Sequence, residues 1–133
     1  MKHLILAALI LAIPAQAFAQ VDDEQAVRAI IGEASNQGLE GMQAVAEGIR
    51  NRGTLKGVYG AKAKHVDKEP AWVWKQARNA WEASKTSNLV GGADHWENTK
   101  AFGEPYWAKS MVKTAQIGDH AFYKKPEKPD GQA

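Results

Sequence analysis

Two apolar stripes at helical spacing, separated by a short polar break, constrain this chain more than any other feature. Val27, Ile30, Ile31 and Ala34 fall at i, i+3, i+4 and i+7, and Met42, Val45, Ala46 and Ile49 repeat the pattern. Each stripe marks one face of an amphipathic helix. Asp22 and Asp23 suit the N-terminus of the first helix, where acidic groups are favoured, and Asn36 to Gly38 ends it. The second helix is predicted from about Glu40 to Arg52. A linker of about six residues makes the pair a helical hairpin. Glu33, in "AIIGEASNQG", then sits near the bend on the flank of the first stripe, one turn from Ile30. From spacing alone a solvated surface glutamate is the default, but this is also a position from which a side chain can face a cleft.

After the hairpin, residues 53–69 ("GTLKGVYGAKAKHVDKE") have three glycines, four lysines and no clear period, which predicts a mobile surface loop. Pro70 suits the first turn of a third helix running to about Ser84, with Val73, Ala77, Ala80 and Trp81 on its buried side. Gly91-Gly92 breaks the chain, "ADHWEN" is predicted to be extended or looped, and Pro105 to open a short fourth helix. "AQIGDHAFYKK" reads as two short strands around a turn at Gly118-Asp119. There is no internal repeat, phosphate loop or domain linker.

The first nineteen residues read as a signal peptide: Lys2, an apolar run from Leu4 to Ile13, and an A-x-A site at Ala17-Phe18-Ala19. The run is too short to span a bilayer core of about 30 Å. An exported protein is expected, in the periplasm or cell wall, with no stable membrane insertion after cleavage. The expected organisation is a signal peptide over 1–19, one domain over 20–125 and a disordered tail over 126–133. Absence of cysteine means that packing alone must stabilise this exported domain. Lys2 is the only charged residue of the signal, so 16 basic and 15 acidic residues remain, a charge of +1. Without a basic stripe, nucleic acid is not expected as a partner. A monomer is expected.

Tryptophan is more informative than charge. Trp72, Trp74, Trp81, Trp96 and Trp107 all lie in the second half of the chain. Such residues fill cores, but five are many for one small core, and tryptophan is seldom fully buried. The surplus can line a groove for a ligand with apolar faces, such as a sugar ring.

Other chemistries find little support. His65, His95 and His120 are scattered, without the spacing or cysteine partners of a zinc site, so neither metal nor cofactor is expected. No serine stands in a nucleophile elbow. Taken together, however, "AIIGEASNQGLEGMQAVAEGIRNR", "GGADHWEN", "PYWAKS" and "IGDHAFYKK" closely resemble, in the same order, the cell wall hydrolase family of the spore cortex-lytic enzyme (SleB-like) type. The resemblance covers nearly all of the mature chain. It implies an α+β, mainly helical, lysozyme-like single domain with a small β or extended portion near the C-terminus. It implies cleavage of peptidoglycan glycan strands, with Glu33 as the catalytic acid. Many relatives are lytic transglycosylases, cutting between N-acetylmuramic acid and N-acetylglucosamine to leave a 1,6-anhydro end. His95, Trp96, Asn98, His120 and Tyr123 map onto groove or scaffold positions as substrate-binding candidates. The chain departs from the family pattern at "GTLKGVYGAKAKH", where relatives carry a proline- and Gln-Phe-bearing segment. It departs again at Thr99, where many have proline.

Glycosidic cleavage needs a proton on the leaving oxygen. A free glutamate titrates at about 4.3, and catalytic ones are raised to about 6 by apolar surroundings, which Ile30, Ile31 and nearby tryptophans would supply. Most glycosidases use two carboxylates. A transglycosylase can use one, which returns as base to take the proton of the substrate's own C6 hydroxyl. Glu40 and Glu47 are predicted on solvated helix faces. The competing expectations are a hydrolysing N-acetylmuramidase and a non-catalytic peptidoglycan-binding module. A phage or secretion-system lysis effector would share the chemistry in another setting.

Overall fold

The computed structural model describes residues 21–129. The expected signal segment and residues 130–133 of the expected tail lie outside the described residues; residues 126–129 are in neither helix nor strand. Helix α1 (Asp23–Ala34) opens at Asp22, whose Oδ1 accepts the Gln25 N–H at 2.9 Å, satisfying one of the free donors of a first turn. Helix α2 (Gly38–Arg52) follows after three residues and helix α3 (Ala71–Ala83) follows Pro70. All four apolar positions of each stripe are buried, as are Val73, Ala77, Ala80 and Trp81 of α3. No helix among the described residues is long and apolar enough to cross a membrane.

Trp81 joins the three helices. Its indole N–H donates to Asp23 Oδ1 at 2.7 Å, and the Arg50 guanidinium stacks 3.6 Å from its ring centre. Arg50 also donates to Ser84 Oγ and the Trp81 carbonyl, each at 2.6 Å. A large apolar ring is thereby buried with its one polar atom satisfied, the condition under which tryptophan stabilises a core.

Strands β1 (His95–Asn98), β2 (Val112–Ile117) and β3 (His120–Lys124) form an antiparallel sheet in the order β1-β3-β2. The pairing sets Trp96 opposite Phe122 and Asn98 opposite His120. Alternation along β3 sends Phe122 into the helical core, while Ala121 and Tyr123 pack on the other face with Ala108, Trp107 and Met111. Those last residues belong to a 3₁₀ turn (Tyr106–Ser110) and its end, where Pro105 foretold a short helix. A one-turn helix α4 (Thr99–Phe102), not foreseen, links β1 to that turn.

Two expectations are corrected. Residues 53–69 are not all surface loop: two 3₁₀ turns, Gly60–Lys62 and Val66–Lys68, fold back on α1 and bury Val58, Gly60 and Val66. All four lysines of the segment remain exposed, together with Tyr59, His65 and Asp67. Glu47 is not on a solvated face. It is 3 % exposed, and its carboxylate accepts the Val90 N–H at 3.0 Å and the Ser87 hydroxyl. The 87–90 segment covers that side of α2, and the carboxylate supplies the acceptors that this segment's buried donors require. Glu40 is exposed as expected.

Trp81→Ala should cost about 3–5 kcal/mol, the range for deleting a large buried ring. Urea unfolding followed by circular dichroism measures it. A cost under about 1 kcal/mol would show that the three-helix junction does not depend on this ring.

Candidate active site

The C-terminal turn of α1, the 57–63 segment and the edge strand β1 enclose a cleft of about 830 Å³. Glu33 stands in its wall, half-buried, beside Gly32. The local geometry depends on two glycines. A methyl group on Gly32 would lie 1.8 Å from the Gly60 carbonyl oxygen, and one on Gly60 would lie 2.7 Å from Glu33 Cγ. The two backbones touch where side chains would hold them apart, so the 57–60 segment lies directly over the Glu33 side chain.

That cover sets the electrostatics. Burial pushes the Glu33 carboxyl pKa above its ordinary value, because the charged form loses water. Hydrogen bonding from the Gly60 backbone pulls it partly back, and the Glu97 carboxylate adds a smaller push upward.

The edge strand supplies another part of the wall. All of His95, Trp96, Glu97 and Asn98 line the cleft, since residues from both faces of a strand reach its open edge. Trp96 is half-buried and rests on α2, where a methyl group on Gly48 would come within 2.8 Å of its ring. Asn98 Oδ1 caps α4 by accepting the Ala101 N–H at 2.9 Å. His95 Nδ1 lies 2.8 Å from Asp94 Oδ1, and its ring tilts against Trp107 at 5.4 Å.

His120 also lines the cleft. It is 4 % exposed, burial lowers its pKa below the ordinary imidazole value, and its Nδ1 has no hydrogen-bond partner. Tyr123 is the exception among the sequence candidates. The alternation that turns His120 toward the helices turns Tyr123 away, into a separate pocket with Thr99, Glu104, Met111 and Lys113. Its ring meets Trp107 edge-on at 5.2 Å, so it reaches the cleft only by backing that tryptophan.

Sequence reasoning had passed over several cleft residues. Glu97 and Trp107 sit inside segments it had singled out, and the surplus of tryptophan was the available signal for Trp107. Tyr59 and Phe102, 75 % and 78 % exposed, present bare rings at the cleft, and Arg52 lines it with its guanidinium bonded to the Lys56 and Asp94 carbonyls. Among the described residues no group of three or more His, Asp or Glu side chains is placed to hold a metal ion.

Glu33→Gln should stabilise the protein in a pH-dependent way. The raised pKa means that the folded state holds this proton more tightly than the unfolded state. Stability is therefore lost as pH rises from the unfolded value through the raised folded one, and the loss persists above it. The variant has no charge to desolvate, so its melting temperature should exceed the wild-type value at about pH 8, with the gap closing toward about pH 4. Thermal melts across this range test it; a gap independent of pH would contradict the burial of Glu33's charge.

No family model matches the chain, and no curated protein does. Among solved structures, the chain is similar to the catalytic domain of the germination-specific lytic transglycosylase SleB from Bacillus anthracis, with a TM-score of 0.57 at 23% identity. The match covers 77% of this chain and 93% of that domain. The likeness establishes the fold: α+β, mainly helical and lysozyme-like, with a small antiparallel sheet near the C-terminus.

Proposed function

We propose that the protein cleaves the glycan strands of peptidoglycan as a lytic transglycosylase, between N-acetylmuramic acid and N-acetylglucosamine, with Glu33 as general acid and then base. The observation that carries this reading is the covered carboxyl of Glu33 in the wall of an open cleft, its pKa raised by burial. A carboxyl whose proton is held more tightly than that of a free glutamate is suited to donate it to a leaving glycosidic oxygen. The fold shared with a lytic transglycosylase domain supports the same chemistry by analogy.

In the first step Glu33 donates its proton to the glycosidic oxygen as the bond to C1 breaks. In the second its carboxylate takes the proton of the C6 hydroxyl, and O6 closes on C1 to give the 1,6-anhydro end. No water enters. Trp96 and Trp107 offer apolar faces to sugar rings, and His95, Asn98 and His120 offer polar groups in the same cleft. Tyr123 acts through Trp107. The substrate places the protein in the periplasm or cell wall after export, where it works as a monomer without metal or cofactor.

Glu33→Gln should lower release of soluble muropeptides from purified sacculi by about 10² to 10⁴, the usual worth of a general acid, while strand binding persists. Mass spectrometry of the wild-type products tests the rest. Anhydro ends support transglycosylation, whereas products heavier by one water, about 18 mass units, are those of a hydrolase. A variant with more than half of wild-type turnover would remove Glu33 from the mechanism.

A further inference from the structure

We propose that Glu97 is a second catalytic carboxylate of this cleft, accepting the N–H of the substrate's 2-acetamido group and so aiming its carbonyl oxygen at C1. The inference rests on the glycan-cleaving reading of the same site and assigns a role that Glu33 cannot fill.

Glu33 comes from α1 and Glu97 from β1, and both line one cleft, close enough for the Glu97 charge to act on Glu33. One oxygen of Glu97 is occupied: Oε1 accepts the Asn98 N–H at 3.1 Å, which fixes the side chain at the strand edge. Among the described residues, Oε2 has no hydrogen-bond partner and the carboxylate pairs with no cation. The basic residues lining the cleft do not offset it. Arg52 bonds to backbone carbonyls, His95 sits against Asp94, and buried His120 is pushed toward its neutral form. The cleft thus holds two carboxylates without a cation dedicated to either, an arrangement suited to positive charge developing on a bound group. His120, 4 % exposed, also lines this cleft, with its Nδ1 buried and unpartnered.

The chemistry balances without water. Glu33 protonates the glycosidic oxygen, the C1–O bond breaks, and its electron pair leaves with that oxygen. The acetamido carbonyl oxygen closes on C1, giving an oxazolinium whose positive charge is shared with its N–H. Glu97, an anion, accepts that N–H. The Glu33 carboxylate then removes the C6 hydroxyl proton and O6 attacks C1. The bond from C1 to the carbonyl oxygen opens and the acetamido group is restored.

The test compares wild type, Glu97→Gln and Glu97→Asp on soluble glycan strands, with binding of N-acetylglucosamine-thiazoline, a stable mimic of the oxazolinium, as a second readout. Glu97→Gln keeps an acceptor for Asn98, so its melting temperature should stay near wild type. Its kcat should fall about 10²-fold, the size of effect seen on losing one preorganised electrostatic partner, with KM changed less than about 3-fold. Thiazoline affinity should fall at least about 10-fold for Glu97→Gln and less for Glu97→Asp, which keeps the charge. The alkaline limb of kcat/KM, set by deprotonation of Glu33, should move to lower pH in Glu97→Gln, because a neighbouring negative charge that holds the proton is gone. Of the other groups around Glu33, His65 hydrogen-bonds the Gly32 carbonyl and His95, His120 and Arg52 line the cleft; none is altered. An active wild type with Glu97→Gln within about 3-fold, or with unchanged thiazoline affinity, overturns the assignment while leaving the Glu33 reading intact. Water-added wild-type products, with rate lost in Glu97→Gln, would also overturn it, making Glu97 the base for that water. A wild type that releases nothing overturns the glycan-cleaving reading and this assignment together.

Discussion

The site depends on one contact, the backbone of Gly32 on that of Gly60. With any side chain at position 32, the Gly60 carbonyl would have to withdraw by more than an atom's radius, and the 57–63 segment would lift off α1. Around this contact the segment is pinned by directed bonds. Arg28 Nε donates to the Ala61 carbonyl at 3.3 Å, Arg28 Nη1 meets Asp67 at 2.7 Å, and His65 Nε2 lies 3.3 Å from the Gly32 carbonyl. Asp67 is well exposed, so that ion pair is a weak part of the clamp. The burial of Val58 and Val66 beneath the segment is the stronger part.

Because the cover is backbone rather than side chain, it removes water from Glu33 without offering a cation. The contrast with Glu47 shows why the distinction matters. Both glutamates face inward from consecutive helices. Glu47 is sealed in with an N–H and a hydroxyl aimed at it, so its charge is answered by protein and its work is to hold the 87–90 segment. Glu33 is only partly answered, by the Gly60 backbone, and it opens on a cleft. A carboxylate satisfied by its own fold is architecture. One left wanting beside a space large enough for sugar rings is available for chemistry.

The helices were legible because periodicity records which side of each is apolar, and all eight stripe positions are buried as the spacing requires. The hairpin strands were legible from "AQIGDHAFYKK" and its Gly-Asp turn. Helical spacing could not reveal Glu47, since an angle measured from a helix's own stripe says nothing of a distant segment closing over the other side. The 53–69 fold was hidden for a related reason: glycine–glycine contact leaves no side-chain pattern, so three glycines and four lysines read as solvent-facing loop. Glu33 was visible through its apolar company and the family resemblance. Glu97 was not, because a short edge strand exposes both faces and alternation then fails to sort wall from surface. Tyr123 was legible as a groove or scaffold position, and strand alternation, which separates it from His120 three residues away, puts it behind Trp107.

The tryptophans show how one small fold divides a large aromatic supply. Trp81 closes the helical junction, and Trp74 lies between Arg28 and Arg78, 5.7 and 5.5 Å from its ring centre. Trp96 and Trp107 are different, since each is held from behind and open in front. Gly48 leaves the shallow seat for one, and Tyr123 with His95 braces the other. Rings fixed in this way lose little further freedom when a flat ligand stacks on them, so more of the contact energy appears as binding. Position matters equally: Trp96 stands on β1 next to Glu97, and both rings line the cleft that also holds Glu33. On the proposed reading, the two carboxyl groups of the cleft have separate tasks because one comes from a helix and the other from a strand edge.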